Sequence, residues 1–98
     1  MEVEFADKDL DRLEVEPSFD MRLPVGVVRA YRRRLQSIRA APDERDFYAM
    51  KSWRFEKLLG ARQHQHSMRL NDQYRLILEL VGESPSKRVR IVAVEDYH

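Results

Sequence analysis

His64-Gln65-His66-Ser67-Met68-Arg69-Leu70, then Asn71-Asp72-Gln73, then Tyr74-Arg75-Leu76-Ile77-Leu78-Glu79-Leu80-Val81 carries the clearest strand pattern in the chain. The first segment alternates. His64, His66, Met68 and Leu70 share one face and Gln65, Ser67 and Arg69 the other, the period of a half-buried strand. Asn and Asp side chains bond nearby backbone and favour turns. The chain then resumes as a second apolar strand, so residues 64–81 read as a β-hairpin. Beyond it, Gly82-Glu83-Ser84-Pro85-Ser86 is another turn. Val89–Val94 carries apolar residues on both faces, the pattern of an interior strand. Before it, Arg54–Leu58 is a short candidate strand, followed by a loop at Gly60-Ala61-Arg62. Trp53 and Phe55 read as core anchors.

The first half has a different period. Val28, Tyr31, Leu35 and Ile38 follow Pro24 as one apolar stripe, which predicts a helix over 24–41 closed by Pro42. Glu2-Val3-Glu4-Phe5 alternates like a strand. Leu10 and Leu13 lie three apart ahead of Pro17, which predicts a short helix over about 7–16. The expected fold class is α+β: two N-terminal helices packed on a small, mostly antiparallel β-sheet, in a single domain over residues 1–98.

Composition narrows the chemistry. The 98 residues include no cysteine, which removes disulfides, thiolate metal sites and a Cys nucleophile. Three glycines leave no Gly-rich phosphate loop. The opening MEVEFADKDL is acidic where a secretory signal would be basic and then apolar, so a cytoplasmic protein is expected. Net charge is +1, but residues 1–20 hold eight acids and two bases, while most of the Arg lies later. Arg suits bidentate contact with phosphate and stacking on bases, so an anionic partner fits the basic part.

Three places could carry chemistry. The ending Val94-Glu95-Asp96-Tyr97-His98 joins a strand to a carboxylate, a phenol and an imidazole; alternation puts Asp96 and His98 on one face and Tyr97 on the other. From composition alone a frayed polar tail is the commoner reading of such an ending. Arg69 and Arg75 flank the hairpin turn and could grip a phosphate, with Gln73 or Tyr74 touching a base. His64 and His66 share a face, but the face continues into Met68 and Leu70 rather than further ligands, so no metal is expected.

The block His66-Ser67-Met68-Arg69-Leu70-Asn71-Asp72-Gln73-Tyr74-Arg75-Leu76, the terminal Asp96-Tyr97-His98 and the element Leu58-Leu59-Gly60-Ala61-Arg62 resemble HigB-type toxins. These form the plasmid-maintenance killer group of the RelE/ParE toxin superfamily. The resemblance is strong over 53–98, fair over 24–41 and loose over the first 20 residues. It implies a RelE-like fold and a type II toxin–antitoxin toxin that acts as an mRNA interferase. Such an endoribonuclease enters the ribosomal A site on the 30S subunit and cleaves mRNA by metal-independent attack of the 2′-hydroxyl, inhibiting translation and growth. No cofactor or membrane is implied. The partners are the ribosome, mRNA and a HigA-like helix-turn-helix antitoxin encoded beside the toxin, with operator DNA bound only through the antitoxin complex.

The matching positions imply roles. His98 transfers a proton, Asp96 orients it or acts as base, Arg75 stabilises charge and Tyr97 stacks on the nucleotide. Arg69, Asn71 and Gln73 hold the RNA backbone, with Tyr74, Lys57 and Arg62 as further contacts. One departure is Leu59, where many relatives have Lys; Lys57, two residues earlier, shares its face if the strand continues. Two other classes remain open: a non-enzymatic gyrase inhibitor like the ParE branch, and an RNA-binding module with weak or lost cleavage.

Overall fold

The computed structural model describes residues 1–97. The chain runs β1 (Glu2–Phe5), α1 (Lys8–Val15), α2 (Val25–Ala40), α3 (Arg45–Ala49), β2 (Glu56–Lys57), β3 (His66–Arg69), β4 (Tyr74–Val81) and β5 (Arg88–Asp96). The five strands form one sheet in the order β1-β5-β4-β3-β2, with only β1–β5 parallel. This is the α+β class expected from the periodicities.

Each long element begins and ends for a local reason. Asp7 caps α1, its Oδ1 accepting the Leu10 amide at 3.0 Å. Acidic Asp9 and Asp11 in the first turn complement the helix dipole, and the helix stops short of Pro17. Pro24 sits immediately before α2, and Ala41 closes it ahead of Pro42. The α2 stripe Val27, Val28, Tyr31, Leu35 and Ile38 is buried, as are Leu10 and Leu13 of α1. The Tyr31 hydroxyl donates to the Leu10 carbonyl at 2.7 Å and ties the two helices together. Burial pushes that phenol's pKa well up, so it stays a neutral donor.

The helices cover one face of the sheet. Leu76 and Leu78 of β4, Met68 of β3, and Val89 and Ile91 of β5 meet them in the core. A short helix, α3, was not signalled by any apolar period; it inserts Phe47, which meets Trp53 with ring centroids 6.0 Å apart and Phe55 at 5.3 Å. Five residues are too few to show a stripe. Trp53 and Phe55 are the core anchors expected of them.

A β-bulge interrupts the β4–β5 pair. Ile77 faces Ala93 and Leu78 faces Ile91, which leaves Val92 as the extra residue. An extra residue reverses the alternation on its far side. Val89 and Ile91 therefore face the helices before the bulge and Val94 after it, while Ala93, Glu95 and Tyr97 turn to the other, open face. The apolar run read as an interior strand is this bulged β5, lying between β1 and β4.

Candidate functional site

The open face begins from register. Arg69 on β3 stands directly opposite Arg75 on β4, and Arg75 stands opposite Glu95 on β5. Two like charges placed across a strand pair repel, so the position calls for anions. Protein carboxylates meet part of that need. Arg69 pairs with Asp72 and also donates from Nε to the Asn71 carbonyl at 3.3 Å. Glu95 accepts from Arg75 Nη2 at 3.4 Å and from Arg62 Nη2 at 2.7 Å. The Arg62 hydrogen bond is the main reason the Glu95 carboxyl lies below its ordinary pKa, so it stays ionised beside Arg75.

A cavity of about 130 Å³ opens between these strands, lined by Arg54, Glu56, Ser67, Arg69, Arg75 and Tyr97. The Arg75 guanidinium lies over the Tyr97 ring, 5.3 Å from its centroid. Among the described residues its Nε is buried without a hydrogen-bond partner. Glu56 enters from β2, opposite the buried Ser67, and among the described residues it makes no ion pair. Arg54 arrives with φ of +48°, a left-handed conformation that costs a non-glycine residue energy and often marks a functional position. Three guanidinium groups thus surround one carboxylate and one phenol.

Behind the cavity, Arg34 of α2 supports its rim. Arg34 Nη1 donates to the Arg69 carbonyl at 2.7 Å, and its guanidinium lies over Trp53, 4.5 Å from the ring centroid. Burial lowers its pKa to about 10, which leaves it charged at neutral pH.

Of the residues singled out from sequence, Arg69, Arg75 and Tyr97 come together at the cavity. Arg62 reaches the site only through Glu95. Asn71 builds the turn, its Oδ1 accepting the amides of Gln73 and Tyr74, each at 2.8 Å. Tyr74 packs against the core. Gln73 holds the chain end: its carbonyl accepts the Tyr97 amide at 3.1 Å and its side chain donates to Asp96 at 2.9 Å.

The register sets Asp96 on the other face of β5 from Glu95, the residue that stands opposite Arg75. Asp96 pairs in register with Tyr74 on the helix-bearing side, because the Val92 bulge turns Glu95 and Tyr97 to the open face in its place. His98 lies outside the described residues. Lys57 pairs with His66, on the face away from the cavity. Strand β2 ends at Lys57, so the shared face expected for Lys57 and Leu59 is not formed, and Leu59 is exposed.

His64 and His66 also part company. His64 lies before β3, 3.7 Å from Glu79. His66 stacks on Phe55 with centroids 4.8 Å apart and planes within 8°. Burial, then the nearby Lys57, lowers the His66 pKa. Besides Ser67, which the strand alternation placed only on a face, Glu56 and Arg54 are the cavity residues that sequence reading missed. Their only signal was position, two residues apart in the candidate strand ahead of the hairpin.

Comparison with known proteins bears on the whole chain. The family model for the RelE-like toxin of type II toxin–antitoxin system HigB matches residues 3–94. The fold resembles a YoeB/ParE toxin from Agrobacterium tumefaciens at 14% identity, with 100% of both chains covered and a TM-score of 0.66. It also resembles the YoeB–YefM complex from Staphylococcus aureus at 17% identity, covering 100% of this chain and 97% of that one, with a TM-score of 0.62. A YafQ mutant from E. coli is similar at 12% identity, with 97% and 91% covered and a TM-score of 0.59. No curated protein matches the chain. No helix among the described residues is long and apolar enough to cross a membrane. With the family match spanning nearly all of the chain and the structural neighbours sharing its fold, the protein belongs to the HigB-like, RelE-superfamily toxins of type II toxin–antitoxin systems.

Proposed function

We propose that this toxin is a ribosome-dependent endoribonuclease that cuts mRNA in the A site, breaking the strand by attack of a 2′-hydroxyl on the neighbouring phosphate. The observation that carries the reading is the open-face cavity, where Arg54, Arg69 and Arg75 surround Glu56 and Tyr97. A phosphodiester seated there relieves the repulsion between Arg69 and Arg75. The chemistry needs a base at the 2′-oxygen, positive charge at the pentacoordinate phosphorus and an acid at the departing 5′-oxygen. Glu56 serves as base, Arg75 with Arg69 stabilises the phosphorane, and the Tyr97 ring stacks on the nucleotide. His98, next in the chain after Tyr97, supplies the departing oxygen with its proton. Asp96 and Gln73 hold the chain end that carries Tyr97 and His98. The resemblance to HigB-type toxins supports the ribosome, mRNA and a HigA-like antitoxin as partners, and catalysis without a metal.

Primer extension on an mRNA in a translating extract tests the reading, with wild type, Arg75→Ala and His98→Ala compared. Cuts within A-site codons, present only with ribosomes and reduced about 10²–10³-fold by Arg75→Ala, are expected. Intact mRNA with inhibited DNA supercoiling would instead identify a gyrase inhibitor.

A further inference from the structure

A second basic pocket adjoins the cavity around the end of β3. On α2, Ala30, Arg33, Arg34 and Ser37 recur at spacings of three, one and three, which sets them on one face of the helix. With Trp53 and Leu70 they line a hollow of about 220 Å³. The small side chains of Ala30 and Ser37 leave the room, and Trp53 and Leu70 are buried beside it.

Most of its donors are uncommitted. Arg33 is exposed and makes no ion pair or hydrogen bond among the described residues. Arg34 uses one donor, Nη1, on the Arg69 carbonyl at 2.7 Å, while its Nε and Nη2 have no acceptor among the described residues. No carboxylate lines the pocket among those residues either. Asp46 lines an adjoining hollow beyond Ser37 and Trp53, and Asp20 the groove on the other side of Arg33. Neither pairs with Arg33 or Arg34, and Asp72 is engaged by Arg69. Two guanidinium groups and the Ser37 hydroxyl therefore face a hollow that lacks an anion.

We infer that this pocket is a second phosphate subsite, which holds the mRNA backbone one nucleotide from the bond that is cut. Continuity with the cavity selects the ligand. Arg54 and Arg69 line the cavity, and their chain neighbours Trp53 and Leu70 line the pocket. A strand whose scissile phosphate sits between Arg69 and Arg75 passes this pocket when it turns around the end of β3. Its adjacent phosphate then meets Arg33 and Arg34, whose donors suit the two non-bridging oxygens. Such a contact fixes the register of the strand without reading its bases. It acts on substrate binding, since neither arginine of the pocket lines the cavity where the chemistry occurs. The inference rests on the endoribonuclease reading above, whose substrate it shares.

The test measures single-turnover cleavage of ribosome-bound mRNA by full-length wild type, Arg33→Gln and Ser37→Glu over a range of toxin concentrations. Both positions are exposed, and thermal melts check the fold. The concentration giving half-maximal rate should rise about fivefold or more in each variant, with the maximal rate unchanged. A second arm uses mRNA with one uncharged methylphosphonate at the phosphate on either side of the scissile one, in turn. One of these substrates should weaken wild type by a similar factor and erase its difference from Arg33→Gln. A difference that survives on both substrates overturns the inference; matched weakening toward ribosomes without mRNA would then assign the pocket to ribosomal RNA. Unchanged half-maximal concentrations overturn it and leave the endoribonuclease reading standing. A lower maximal rate alone also overturns it, and marks this face of α2 as a support of the cavity. Absence of cleavage by wild type overturns the subsite and the endoribonuclease reading together.

Discussion

Replacing Glu56 by Gln should cost the toxin most of its cleavage, while replacing Asp96 by Asn should cost little. Among the described residues, Glu56 is the one carboxylate lining the cavity with Arg54, Arg69 and Arg75. A positioned base contributes about 10²–10⁴-fold, or about 3–5 kcal/mol of barrier. Glu56 is exposed and makes no ion pair among the described residues, so Gln leaves the fold within about 0.5 kcal/mol of wild type. Asp96 pairs with Tyr74 on the other face and accepts a hydrogen bond from Gln73 at 2.9 Å. Asn keeps an acceptor for the Gln73 amide, so weakening of that bond from charge-assisted to neutral costs about 1 kcal/mol or about fivefold in rate. The assay is initial cleavage rate by quantitative primer extension on ribosome-bound mRNA, with each variant's thermal melt as control. A fall of more than 100-fold in Asp96→Asn with Glu56→Gln near wild type would falsify the placement of the base.

Three further outcomes follow from the structure. Tyr31→Phe removes the 2.7 Å bond to the Leu10 carbonyl and leaves that acceptor buried; denaturation should show a loss of about 1–1.5 kcal/mol and a Tm lower by about 5–10 °C. Arg34→Ala strips the Arg69 carbonyl of its 2.7 Å donor and Trp53 of its cation, for about 1–3 kcal/mol of stability by urea titration, with slower cleavage because Arg69 loses its support. The His66 imidazole is held below its ordinary pKa by burial, then by Lys57 and Lys87, with Glu44 acting against them. The unfolded chain therefore binds the proton first as pH falls, so the stability due to neutral His66 is complete above about pH 6.5 and is lost below it. In His66→Phe, which keeps an aromatic ring for Phe55 to stack on, urea midpoints should fall less between pH 7.5 and pH 5.5 than in wild type; equal falls would remove His66 as the cause.

The two helices, the hairpin and the last strand were legible because each writes its burial as a local period. Val28, Tyr31, Leu35 and Ile38 mark a helix stripe, and Met68 and Leu70 a strand face. Proline and the Asn71-Asp72 turn set the punctuation. Helix α3 was not legible, since one buried Phe47 in five residues defines no period. Strand β2 was drawn longer than it is for the same reason, which misplaced Leu59 relative to Lys57. The pair His64 and His66 looked like neighbours on one face only under the assumption that the strand began before His66.

Reading the sequence supplied candidate groups for the site: arginines around a hairpin turn, and a carboxylate, a phenol and an imidazole in Asp96-Tyr97-His98. It also carried the family, through the Arg69–Arg75 block and the Asp96-Tyr97-His98 ending. Which of these groups meet was decided by tertiary structure alone. A single extra residue, Val92, shifts the β4–β5 register and sends Glu95 and Tyr97 toward Arg75, turning Asp96 away. With regular pairing from Leu78 and Ile91 onward, Val94 would face Arg75, and Asp96 rather than Glu95 and Tyr97 would lie on the open face, since side chains reverse face with each residue. The carboxylate that does reach the cavity, Glu56, comes from a two-residue edge strand too short to announce itself, and only pairing with β3 sets it opposite Ser67.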